Sequence, residues 1–195
     1  MIAIIFLLMI TYGPLQGEQN IMYLYTRLKF DWNEKDFAAF YAVQFGLQIF
    51  GSFLALIFLV KYLKWRDETL GILAFASSML ACGVYAFAYK GTIFYLGAVF
   101  DLFSGTAPIA MRSLISKLVH AHELGKTNSV FGICELLAHL IFTTLYITLY
   151  SKTLYIIPGA MFLITSVLKC LGIVIFIWLY RHSNRHRKHK KEINT

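Results

Sequence analysis

Long apolar runs joined by short polar connections set the pattern of this chain. From residue 38 to 60, and again from 70 to 89, there is no charged residue. Each run is long enough for one membrane-spanning helix, which takes about 20 apolar residues. Three further runs, 92–118, 127–150 and 154–180, are also long enough, but each carries one or two ionisable residues in its interior. The first run, 2–28, is interrupted by Gly13, Pro14 and the polar stretch Gln16-Gly17-Glu18-Gln19-Asn20. It predicts a broken helix with open backbone at mid-depth, which lipid tolerates only where protein or a watery cavity satisfies the freed groups. The spacing Gly13-x-x-x-Gly17 matches a helix-pairing pattern, but the proline inside it predicts a kink. The expected fold is therefore all-α and membrane-integral, with six transmembrane helices over 1–180 and a basic tail over 181–195.

Composition narrows the function classes. Of 195 residues, 58% are hydrophobic and 14% charged, whereas soluble domains run nearer half apolar and about a quarter charged. Six spans leave no room for a soluble catalytic domain, and no zinc, Ser-His or paired-carboxylate signature points to an enzyme. Cys82, Cys134 and Cys170 stand apart inside apolar runs, without disulfide or metal spacing. A signal peptide over residues 1–12 is disfavoured, because no Lys or Arg precedes the apolar stretch and no small-x-small cleavage site follows it. Met1 beginning inside a span predicts a fragment of a longer protein.

Charge then orients the chain. With the first span running outward, the inner segments and tail hold eleven Lys and Arg residues and the outer segments five: Arg27, Lys29, Lys35, Lys90 and Lys152. The positive-inside rule places both termini in the cytosol. The net charge of +8 comes largely from the stretch 181–191, a topology anchor drawn to anionic lipid. With no aromatic residues interleaved, it does not predict nucleic-acid binding.

The ionisable residues within spans carry the candidate chemistry, since a charge there costs a few kcal/mol or more unless it faces a cavity or a partner. They are Glu18, Asp101, Arg112, Glu135 and His139. Asp101 and Arg112 are eleven residues apart, nearly the same face of a helix, with Pro108 bending it between them. Glu135 and His139, four apart, are spaced to meet as a proton-carrying pair or as a structural hydrogen-bonded one. Arg112 has a snorkelling alternative beside Lys117, and Lys169 reads as a snorkelling or interhelical hydrogen-bonding residue. Tyr23, Tyr25, Phe45 and Tyr95 read as packing and interfacial residues rather than as a stacking platform.

The string Ala107-Pro108-Ile109-Ala110-Met111-Arg112-Ser113-Leu114-Ile115-Ser116-Lys117-Leu118-Val119, with Glu123-Leu124-Gly125-Lys126 after it, resembles the tenth helix and following loop of the proton-coupled folate transporter family, solute carrier family 46. Gly17-Glu18-Gln19-Asn20-Ile21, Leu24-Tyr25 and Asp31-Trp32 resemble that family's seventh helix and its exit. The resemblance implies the C-terminal half-bundle of the major facilitator fold, in which two six-helix halves surround a midplane site. It implies a multi-pass protein of the plasma or endolysosomal membrane that takes up an organic anion, such as a folate-like solute, by alternating access. Protons are the coupling ion and no cofactor is called for. Arg112 stands where the family has an arginine tied to substrate binding and proton coupling. Glu18, Gln19 and Asn20 occupy the seventh-helix binding segment. The implied partners are the bilayer, the solute, and either the N-terminal six-helix half or a second copy. A half-length protein that regulates or tethers a full-length relative is the alternative reading.

Overall fold

A computed structural model describes residues 2–119, 123–154 and 159–193. His120 and His122 lie outside the described residues. Within them every regular element is helical: α1 (Ile2–Phe30), α2 (Glu34–Leu54), α3 (Asp67–Phe87), α4 (Gly91–Phe100), α5 (Thr106–Leu118), α6 (Leu124–Thr153) and α7 (Ala160–Ile193). The basic stretch 181–193 continues α7 rather than forming a separate segment. Among the described residues five stretches are long and apolar enough to cross a membrane: Glu34–Tyr62, Asp67–Phe87, Gly91–Lys117, Gly125–Thr153 and Ala160–Arg181. Six were expected; these five match the runs after the first, and the first, 2–28, falls on α1.

The expected break in α1 is also absent: the helix runs unbroken through Gly13 and Pro14. The two glycines instead admit rings from α6. A Cβ on Gly17 would sit 2.8 Å from the Tyr146 ring, and one on Gly13 would collide with Phe142. Gly13-x-x-x-Gly17 is thus a packing groove, not a kink. The α3–α7 contact repeats the device reciprocally, with Gly71 against Phe176 and Gly172 against Phe75. In membrane bundles, where apolar burial gives little drive between helices, such close approach supplies the van der Waals contact.

The real interruption lies in the fourth span, expected as one helix over 92–118. After α4 the chain tightens to a single 3₁₀ turn at Asp101–Phe103, passes Ser104 and Gly105, and restarts as α5. Pro108 falls in the first turn of α5, where its missing N–H costs nothing. Backbone groups freed by the break find protein partners: the Ser77 hydroxyl of α3 donates to the Phe100 carbonyl and accepts from the Phe103 N–H, and Thr106 Oγ1 donates to the Phe103 carbonyl at 2.7 Å. This is how irregular backbone survives at membrane depth.

α2 starts at a capping box: Asn33 Oδ1 accepts from the Lys35 and Asp36 N–H groups at 2.9 and 3.0 Å, and Asp36 accepts from the Asn33 N–H. Its far end widens to a π-helical stretch, Ala55–Tyr62. α2 lies against the broken segment so closely that a Cβ on Gly51 would meet the Leu102 carbonyl carbon at 2.7 Å and its oxygen closer still. Gly51→Ala therefore lowers the yield of monodisperse detergent-extracted protein, through overpacking worth about 1–3 kcal/mol. Gly46→Ala, on the same helix with nothing within 4 Å of its Cβ, is the control and leaves the yield unchanged.

At the end where α1 closes and α2, α4 and α7 begin, Tyr25, Phe40, Tyr85, Phe94 and Phe162 are fully buried in one aromatic cluster. The Tyr85 and Phe94 ring centroids are 4.5 Å apart, those of Phe40 and Phe94 4.9 Å. Tyr25 is thus a packing residue, whereas Phe45 is exposed. At the opposite end Asp67 accepts from the Ser113 hydroxyl at 2.8 Å and pairs with the Lys117 ammonium, tying α3 to α5. Large apolar side chains on α2 and α6, among them Phe50, Phe53, Leu136 and Leu140, face outward.

Candidate functional site

Helical geometry divides the polar stretch of α1 by face. Glu18 turns inward, where the Cys82 thiol of α3 donates to its carboxylate at 3.4 Å. Gln19 and Asn20 are exposed. Asn20 donates to its own helix at the Gln16 carbonyl (3.0 Å) and to Thr143 Oγ1 of α6 (3.1 Å). Glu18, Gln19 and Asp101 line one small cavity with Gln44, Gln48 and Tyr85. Its volume of about 30 Å³ is roughly that of one water in the liquid.

Asp101 sits at the helix break and is 7% exposed. Its carboxylate accepts from Gln48 Nε2 at 2.7 Å and Gln44 Nε2 at 3.2 Å, and Gln44 also donates to the Tyr85 hydroxyl at 3.2 Å. Its main-chain carbonyl accepts from Ser104 Oγ at 2.8 Å. Burying a carboxylate without such donors would cost several kcal/mol. The break makes this possible, because it turns Asp101 into the bundle against α2 while leaving its neighbours helical.

Lys169 of α7 does not snorkel. It is 4% exposed, its ammonium lies 5.0 Å from the centre of the Phe75 ring, and it is within electrostatic reach of both Glu18 and Asp101. Thr165, one turn earlier on α7, shares a 2.5 Å hydroxyl contact with Tyr146 of α6 and lies beside Glu18. Five helices thus converge on two acids and one lysine.

Arg112 occupies a second place. The interruption breaks the helical stripe expected to join it to Asp101, and its guanidinium meets Glu135 of α6 at 3.6 Å. Both side chains are accessible, 72% and 37% exposed, and the Tyr12 hydroxyl lies within electrostatic reach of both. Glu135 therefore finds its charged partner on α5. His139, half-buried one turn along α6, makes no hydrogen bond to it among the described residues. The expected Glu135–His139 pair is not formed: the Glu135 carboxylate pairs with the always-charged Arg112 guanidinium on a neighbouring helix instead. Arg112, Ile115, Ser116, Asn128 and Phe131 line an open depression beside this pair.

Sequence reasoning misses Gln44, Gln48, Cys82, Tyr85 and Ser104, and leaves Lys169 between snorkelling and an interhelical contact. One signal was available: Gln44 and Gln48 are four residues apart, amides on one face of a run that merely lacked charge.

Five stretches long and apolar enough to cross a membrane, an interrupted helix and charged side chains enclosed between them are the pattern of a multi-pass membrane protein. Its curated homologues are members of solute carrier family 46, the family that the sequence resembles. The Drosophila melanogaster protein named "Probable peptidoglycan muropeptide transporter SLC46" is 24% identical over 187 residues, covering 94% of this chain and 36% of that protein. Mouse solute carrier family 46 member 2 is 29% identical over 163 residues (81% of this chain, 33% of that protein), and its dog counterpart 27% over 179 residues (89% and 36%). The chain spans about a third of the length of these relatives. No family model matches it.

Proposed function

We propose that this chain supplies the C-terminal half-bundle of a proton-coupled secondary transporter that takes up an organic anion by alternating access. The observation that carries the reading is the loose Arg112–Glu135 contact. A guanidinium 72% exposed, held by one carboxylate at 3.6 Å and by the Tyr12 hydroxyl, is a cation able to exchange that carboxylate for the carboxylate of a solute, onto which it forks with two hydrogen bonds. Gln19 and Asn20, exposed on α1, are polar groups available to the same solute. The outward apolar faces of α2 and α6 suit the bilayer and a second half-bundle, either an N-terminal six-helix half or another copy. Both termini are cytosolic in this reading, and the site is the plasma or an endolysosomal membrane.

The solute class is a carboxylate-bearing molecule of intermediate size. A muropeptide, in keeping with the name of the Drosophila relative, and a folate-like compound both meet that description. The test is uptake of each labelled solute into cells expressing the whole protein in which this chain occurs. Carboxylate-dependent accumulation, several-fold higher at acidic than at neutral external pH and abolished by a protonophore, is expected. The same solute with its carboxylates amidated is not taken up. Equal accumulation of acid and amide overturns the assignment of an anion, and accumulation insensitive to pH and protonophore overturns the coupling.

A further inference from the structure

Counted at 1.5 Å per residue, Glu18 lies about 18 Å from Phe30, Asp101 about 15 Å from Gly91 and Lys169 about 14 Å from Ala160. All three distances run from the same end of the bundle, so the three groups sit at one level, near the middle of a hydrocarbon core about 30 Å thick. Glu18 and Asp101 line the same small cavity from different elements. Among the described residues Lys169 makes no ion pair within 4 Å, although it is 4% exposed. Both acids are within its electrostatic reach.

We propose that Glu18, Asp101 and Lys169 form a store for a single proton: the lysine keeps its charge, one carboxylate balances it, and the other carboxyl group holds the proton. The argument is electroneutrality. An uncompensated ion in a low-dielectric interior costs several kcal/mol even after relaxation, so two carboxylates facing one ammonium leave an excess charge that a proton from water removes by forming one O–H bond. The proton belongs to the pair, not to a fixed residue, because the two acids share one field. The other titratable groups facing the pair are Cys82 and Tyr85 of α3, Tyr41 of α2 and Tyr146 of α6, all neutral when protonated, while α2 adds the uncharged amides of Gln44 and Gln48. Lys169 is thus a positioning residue that sets the number of protons held. This deepens the proton-coupled reading and rests on it for any consequence in transport, but proton storage is measurable without transport.

The test counts protonated carboxyl groups by infrared difference spectroscopy of the whole protein, purified and reconstituted in nanodiscs at neutral pH. Glu18→Gln and Asp101→Asn keep the shape of the side chain, and each is expected to remove one carboxylic C=O band, because the remaining acid then ionises against Lys169. Lys169→Met is expected to double the band, since both acids then protonate, and Lys169→Arg to leave it as in the wild type. A purely structural role for Lys169 does not double it. Retention of the band in either acid variant, or no gain in Lys169→Met, overturns the store. Should Lys169→Met fail to fold, the two isosteric acid variants decide alone. Uptake is measured with the same purified proteins reconstituted into sealed liposomes. A store intact in a protein whose uptake ignores pH overturns the coupled reading and leaves the store standing, and pH-driven uptake with the band unchanged in the variants overturns the store alone.

Discussion

Asp101→Ala removes most of the folded protein from the membrane, whereas Asp101→Asn retains it. The carboxylate is the shared acceptor of Gln44 and Gln48 Nε2 and part of the counter-charge to Lys169. Alanine takes one of two acceptors from each amide, leaving an N–H of buried Gln44 and of part-buried Gln48 unpaired, at about 1–3 kcal/mol for a buried donor. It also leaves Glu18 as the sole acid facing the buried Lys169 ammonium. Set against a typical total stability of about 5–15 kcal/mol, the sum is enough to unfold much of the population. Asparagine keeps an oxygen to accept one or both amides. The measurement is the amount and melting temperature of monodisperse protein after detergent extraction. An alanine variant as stable as wild type would show that Asp101 is not integrated into the packing as its hydrogen bonds indicate.

How far the sequence anticipates this depends on whether the signal is local. Span positions are legible because the bilayer imposes a length that any charge-free run reveals, and five of the expected runs coincide with helices of spanning length. The place of the interruption is not legible, because glycine and proline are local signals with two meanings. At Gly13 and Gly17 the absent side chains make room for Phe142 and Tyr146, more than 120 residues away, and the helix continues. At Asp101 the break is held open by Ser77, on another helix, which pairs the freed Phe100 and Phe103 groups. Ionisable residues inside spans are visible in the sequence, but their partners are not. Spacing along α6 offers His139 to Glu135, while packing offers Arg112. Lys169 has the length to snorkel, and only its placement opposite Glu18 and Asp101 shows that it turns inward.

The Arg112–Glu135 contact yields the second large effect. If the assembled protein transports as proposed, Arg112→Ala abolishes proton-driven uptake at unchanged expression. Folding survives because so exposed an ion pair contributes at most about 1 kcal/mol. Uptake does not, because a hydrogen bond from a charged donor to a solute carboxylate is worth about 1.5–3 kcal/mol, a factor of roughly 10–150 in affinity. Arg112→Lys keeps the charge without the fork and falls between the two. Glu135→Gln acts in the opposite direction: it removes the carboxylate that competes for the guanidinium and so lowers the apparent KM for the anion. In the double variant the gain disappears, because Glu135 acts on the solute only through Arg112, and uptake equals that of Arg112→Ala alone. Initial uptake rates over a range of solute concentrations, normalised to protein at the membrane, decide the matter. Full uptake by Arg112→Ala would remove Arg112 from the binding site, and a KM raised by Glu135→Gln would make the pair a structural clamp rather than an exchangeable contact.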